Sequence, residues 1–144
     1  MLKRLASEVW RGSRARAALA DARRDLEAMA LPAAVQRRAA LPLAPSRRVL
    51  SLRAANAALA SRLAREGETH VCLVRSLALF ELAREHGFDV RLVIGVRKDA
   101  TGGLDSHAWL TLDGAPFLEG HALTTPYETM TVLPDGPSAS SLAD

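Results

Sequence analysis

The chain has 144 residues, 49% of them hydrophobic and 24% charged, with a formal net charge of +3 and a single cysteine. That composition suits one domain with a modest core and argues against wholesale disorder, while a lone cysteine excludes an intramolecular disulfide and points to a reducing, cytoplasmic setting. No apolar run is long enough for a signal peptide or a membrane-spanning helix, and the charge is unevenly split, with 14 Lys and Arg against 4 Asp and Glu in residues 1–65, then 5 against 12 in residues 66–144.

In chain order, "LASEVW", "RARAALADARRDLEAMA" and "PAAVQRRAA" are rich in Ala, Leu and Arg and read as helices, with Pro32, Pro42 and Pro45 marking boundaries. Their arginines alternate with alanine rather than with aromatics, and no nucleic-acid motif is present. The basic half is therefore expected to be scaffold with a docking surface, not a nucleic-acid binder. Ser46 is the expected N-cap of "RRVLSLRAANAALASRLARE" and Gly67 its stop. Val49, Leu52, Leu59 and Leu63 form its apolar stripe, and Asn56 in the middle either makes a buried hydrogen bond or faces a site.

The segment "THVCLVRSLALFELAREHG" carries a wide apolar face, Leu73, Leu77 and Phe80 beside Val74, Ala78 and Leu82, which predicts a buried helix. Thr69 is its N-cap candidate, Gly87 its stop, and His86 a residue favoured by the dipole at its C-terminus. After Gly87 the period changes. "FDVRLVIGVRK" reads as a strand, "DATGGLD" as a loop, and "HAWLTL" and "PFLEG" flank the turn dipeptide Asp113-Gly114 as a hairpin. "TTPYETMTVLP" adds a short strand, and "DGPSASSLAD" reads as a disordered tail. Helices, a buried helix and then an antiparallel sheet make an α+β architecture.

The chemistry-bearing residues are few. A thiol reacts as the thiolate, which a helix N-terminus and a neighbouring imidazolium both favour. Cys72 is expected in the first turn of the buried helix, and His107 opens a strand whose next same-face residue is Trp109. Taken alone, a lone cysteine is more often core packing. A first-turn cysteine, a strand, a strand histidine and hairpin carboxylates in that order suggest a thiol active site. No Cys/His cluster has zinc-ligand spacing and no glycine loop cradles phosphate, so neither metal nor cofactor is expected.

The run "CLVRSLALFELAREHGFDVRLVIGVRKD" followed by "HAWLTLDGAPFLE" resembles the leader peptidase, or B protein, of lasso-peptide biosynthesis, a transglutaminase-like branch of the papain-like thiol enzymes. The resemblance covers roughly residues 50–120 and rests on the "CLVRSLAL" helix start, the "IGVRK" strand end and the "HAW" strand. It implies an α+β fold in which N-terminal helices accompany a transglutaminase-like core, the buried helix against a small antiparallel sheet. Residues 1–144 would form one domain: a basic helical part at 1–66, the catalytic core at 67–133 and a tail at 134–144. It implies Cys72 as nucleophile and His107 as general base and acid. The acidic member falls at Glu119 rather than an aspartate, with Asp113 the alternative and Asp105 a third choice. Trp109 and Arg75 are candidates for substrate binding, whereas His70 and His121 are expected at the site's rim or on the surface.

Hairpin parity bears on Glu119. A two-residue loop at Asp113-Gly114 would pair Leu112 with Ala115 and put Glu119 on the face away from His107; an odd loop would put them on one face. A role for Glu119 therefore predicts the odd register.

The implied activity is cysteine endopeptidase cleavage of a ribosomally made lasso precursor at the leader–core junction. The core peptide would pass to a separate ATP-dependent macrolactam synthetase. The strand-poor first 66 residues do not look like a fused leader-recognition domain, so the expected partners are the precursor's leader, a separate leader-recognition protein and that synthetase. The alternatives are another transglutaminase-like thiol acyl transferase or hydrolase, and a non-catalytic peptide-binding module.

Overall fold

A computed structural model describes residues 2–67 and 71–134, with side chains from residue 12 onward. The Thr69 cap, His70 and the tail at 135–144 lie outside the described residues. Among the described residues, five helices and four strands follow in order: α1 (Leu2–Ala28), α2 (Leu31–Ala39), α3 (Val49–Glu66), α4 (Val71–Glu85), β1 (Arg91–Lys98), β2 (Leu104–Leu112), β3 (Ala115–Phe117), α5 (His121–Thr124) and β4 (Glu128–Leu133). The expected α+β fold is present. Among the described residues, no helix is long and apolar enough to cross a membrane.

The N-terminal segments merge into one 27-residue helix, α1, that passes through Gly12 without a break. Pro32 sits in the first turn of α2, where its missing N–H costs nothing. The four buried arms of α3 are Leu52, Ala55, Leu59 and Leu63, while Val49 is 40% exposed. Ser46 is not its cap. Arg48 holds that position, because the preceding loop is tied to the end of α4 by Ala44 N–H to the Arg84 carbonyl and Arg48 N–H to the His86 carbonyl. Gly67 closes α3 in the left-handed conformation (φ 63°), as expected.

Helix α4 is the middle of the molecule. From Ser76 to Ala83 every residue is buried, because α1 and α3 lie against it together with β2 of the sheet. The core runs continuously from Ala15 in α1 to Leu133 in β4, through Leu77, Phe80 and Leu82. His86 at its end is fully buried: its Nδ1 donates to the Leu82 carbonyl (2.7 Å), and Ser51 lies 3.2 Å from Nε2. Gly87 follows at φ 88°, and a Cβ there would stand 2.3 Å from the Ser46 carbonyl oxygen. Gly87→Ala combines left-handed strain with a backbone clash. It is expected to cost about 2–4 kcal/mol, read as a lowered urea midpoint at unchanged slope.

Some charged residues of the helical half make contacts within the chain. Asp25, 2% exposed, accepts from Arg38 (2.8 Å) and from Arg37 (2.6 and 2.8 Å), which fastens α1 to α2. Arg47 lies over the Phe88 ring, and Arg48 donates to the Glu85 carbonyl. Of these four arginines Arg38 is buried, while Arg37, Arg47 and Arg48 make these contacts and stay exposed on the surface.

The sheet is antiparallel throughout, in the order β3-β2-β1-β4. Phe88 to Val90, expected in the first strand, precede β1, and Phe88 instead packs on Phe117 (5.0 Å between ring centroids). Asp113 (φ 51°) and Gly114 (φ 84°) form a two-residue loop that pairs Leu112 with Ala115. This is the even register, contrary to the odd one expected.

Candidate active site

The site forms where the start of α4 meets β2. Cys72, Arg75 and Ser76 share one side of the first turns of α4, by i, i+3, i+4 spacing. Ser76 Oγ donates to the Ala108 carbonyl (3.1 Å), and Arg75 reaches Glu119 Oε1 and the Leu118 carbonyl, each at 3.4 Å. The Cys72 side of the helix is thereby turned toward the strand that carries His107. Cys72 itself is half-buried and free.

His107 Nε2 lies 2.8 Å from Glu119 Oε2. An ionised carboxylate only accepts, so Nε2 carries the hydrogen and Nδ1 is left to exchange a proton. Even hairpin parity was expected to separate these two residues, and the first three pairs after the turn do follow it, through Leu110↔Phe117. The strand then stops. Leu118 takes a left-handed conformation (φ 60°), which breaks the alternation and returns Glu119 to the face of His107. Strand alternation therefore holds only to Phe117, two residues short of Glu119.

Glu119 is held tightly: its side chain is only 6% exposed, with His107 on one oxygen and Arg75 beside the other. Arg75 is thus engaged with the carboxylate rather than open to a substrate. Trp109 is 5% exposed and stacks on His107 at 5.6 Å, forming a wall of the site rather than an open contact surface. Asp113 is an exposed turn residue, and Asp105 accepts from Arg97 Nε (3.1 Å) and the Tyr127 hydroxyl (3.0 Å), whereas the hydrogen bond to the His107 ring comes from Glu119. His121 is exposed at the start of α5.

Two contributors escaped the sequence reading. Tyr127, the only tyrosine in the chain, lies 5.3 Å from His107 and 6.2 Å from Trp109 between ring centroids. Gly95 pairs with His107 across the sheet, and a Cβ there would stand 2.6 Å from the Trp109 ring and 2.8 Å from Tyr127 Cβ. The close approach of two aromatics therefore requires glycine. A glycine within a strand was the available signal; for Tyr127 there was none, since α5 was not anticipated. The Tyr127 hydroxyl titrates above its ordinary value because of burial, its hydrogen bond to Asp105, and the negative charges of Asp105 and the Cys72 thiolate, with Arg97 opposing.

The arrangement has the components for proton exchange between a thiol and an imidazole backed by a carboxylate. Among the described residues, no group of three or more His, Cys, Asp or Glu side chains is placed to hold a metal ion. No curated protein and no solved structure matches the chain. The family model of the transglutaminase-like superfamily matches residues 9–132, from α1 through β4 to within one residue of its end. With a cysteine at the head of its central helix and a histidine on the facing sheet, the chain belongs to the transglutaminase-like superfamily.

Proposed function

We propose that the protein is a cysteine endopeptidase that removes the leader from a lasso-peptide precursor. The observation that carries the catalytic part is the His107–Glu119 hydrogen bond at 2.8 Å beside the first turn of α4, where Cys72 sits. The superfamily supports thiol chemistry, and the substrate comes from the resemblance of "CLVRSLAL", "IGVRK" and "HAW" to lasso leader peptidases.

In the proposed reaction, His107 Nδ1 takes the thiol proton and Cys72 Sγ attacks the carbonyl carbon at the leader–core junction. The backbone N–H of Cys72, near the start of α4, is one donor to the oxyanion. As the intermediate collapses the C–N bond breaks, and the proton on Nδ1 passes to the leaving core amine. Water then attacks the thioester, giving its proton to Nδ1, and the C–S bond breaks. Glu119 fixes the tautomer and stabilises the imidazolium, and Arg75 fixes Glu119. Delivery by a separate leader-recognition protein and hand-over to the macrolactam synthetase complete the proposed setting.

The test is incubation with a lasso precursor and a leader-recognition protein in ¹⁸O-labelled water, followed by mass spectrometry. One cut, with ¹⁸O on the new leader carboxyl, is expected. Transfer of the leader acyl group to an amine would make the protein an acyl transferase, and intact precursor would remove the assignment. In the same assay Glu119→Gln keeps the shape but weakens the imidazolium's partner. It is expected to lower kcat by about 10²–10⁴-fold with little change in KM.

A further inference from the structure

The aromatic residues packed beside the His107 ring have no role in the reaction so far. Tyr127 and Trp109 both have ring centroids within 5.6 Å of the imidazole, at interplanar angles of 34° and 24°. Tyr127 is itself held in place. Its hydroxyl donates to Asp105 Oδ2, Arg97 lies over its ring (4.8 Å) and also donates to Asp105 Oδ2, and its N–H is bonded to the Thr124 carbonyl at the end of α5. Asp105 and Arg97 are paired across β2 and β1, two positions from the His107↔Gly95 pair. Gly95 opens the space into which Tyr127 Cβ and the Trp109 ring fit.

A single hydrogen bond from Nε2 to Glu119 leaves the imidazole free to swing about that contact. Packing against Trp109 and Tyr127 removes the freedom. We propose that Tyr127 is a positioning residue for His107, aimed by the Asp105–Arg97 pair, and that it fixes the ring plane so that Nδ1 addresses Cys72. This rests on the assignment of Cys72 and His107 as a proton-exchanging pair. Misplacement of a catalytic group by about 1 Å can cost 10²-fold in rate, so the contribution is measurable.

The experiment is the rate of Cys72 alkylation by iodoacetamide at mildly acidic pH, in the full-length protein and its variants, with melting temperature recorded for each. His107→Ala is the reference for loss of the pair. Tyr127→Leu is expected to slow alkylation about tenfold, and Tyr127→Phe, which keeps the ring but loses Asp105, about threefold. Arg97→Gln should resemble Tyr127→Phe. Should Tyr127→Leu lose its fold, Tyr127→Phe and Arg97→Gln decide the matter. A purely structural role would lower the melting temperature while leaving alkylation of the folded protein unchanged. Wild-type rates in the folded Tyr127 variants, with His107→Ala slow, would overturn the proposal alone. A wild-type rate in His107→Ala would overturn the pair on which it rests.

Discussion

Cys72→Ala is expected to lower precursor cleavage by about 10⁴-fold or more, to the level left by binding alone. The half-buried side chain, removed from the start of α4, takes the nucleophile with it and leaves the His107 Nε2–Glu119 bond in place, since that bond is made through the other ring nitrogen. Ser76 and Arg75 still fasten α4 to β2 and the 118–119 segment, so the melting temperature should stay within a few degrees. Cys72→Ser is expected to be nearly as inactive, because a hydroxyl is far less readily ionised than a thiol. A peptide-binding module would show the opposite, full function with alanine at 72.

Asp25→Ala should have the largest effect on stability, about 3–5 kcal/mol, because it leaves the guanidinium of Arg38 buried without its counter-charge. Arg38 is 2% exposed and its Nε already lacks a partner, so there is no spare hydrogen bonding to absorb the loss. The double variant Asp25→Leu, Arg38→Met should lose less than Asp25→Ala, since no orphaned charge remains. The same pair sets part of the acid limb of stability. Burial alone would raise the Asp25 carboxyl, but the hydrogen bond from Arg38 and the charges of Arg38 and Arg37 outweigh it and hold it below its ordinary value. Its contribution is therefore present above the ordinary aspartate range and lost as pH falls through the lowered value. Glu81 acts in the opposite sense. Burial and the neighbouring Asp21 hold its carboxyl above its ordinary value despite Arg38, so its contribution is lost as pH rises out of the ordinary glutamate range. Chemical denaturation from the ordinary aspartate range downward in pH should show a shallower acid limb in Asp25→Ala than in the wild type.

Much of the architecture was legible in the residues. The wide apolar face from Leu73 to Leu82 described a helix buried on all sides, and the period change after Gly87 marked the sheet. The placement of Cys72 at a helix start and of His107 on a strand was legible for the same reason, since both are local properties, although the strand begins at Leu104 rather than at His107. What was not legible depends on tertiary contact. Ser46 has a good cap side chain, yet the loop is pinned to the end of α4 and the helix begins at Val49. Arg37 and Arg38 read as surface charge until Asp25 on another helix meets them. Parity could not place Glu119, because nothing in "PFLEG" announces that a leucine will adopt positive φ. Arg75 was a candidate for substrate binding, because the Glu119 it meets lies 44 residues away in sequence.

The most direct measurement uses a leader peptide ending in a vinyl sulfone at the junction, a probe that needs a nucleophile but allows no turnover. Intact-mass and peptide mapping of the labelled full-length protein should show one adduct, on Cys72, formed quickly in the wild type and at least tenfold more slowly in His107→Ala. Absence of labelling in the folded wild type, or labelling of Cys72 at the same rate without His107, would contradict a Cys72–His107 catalytic pair.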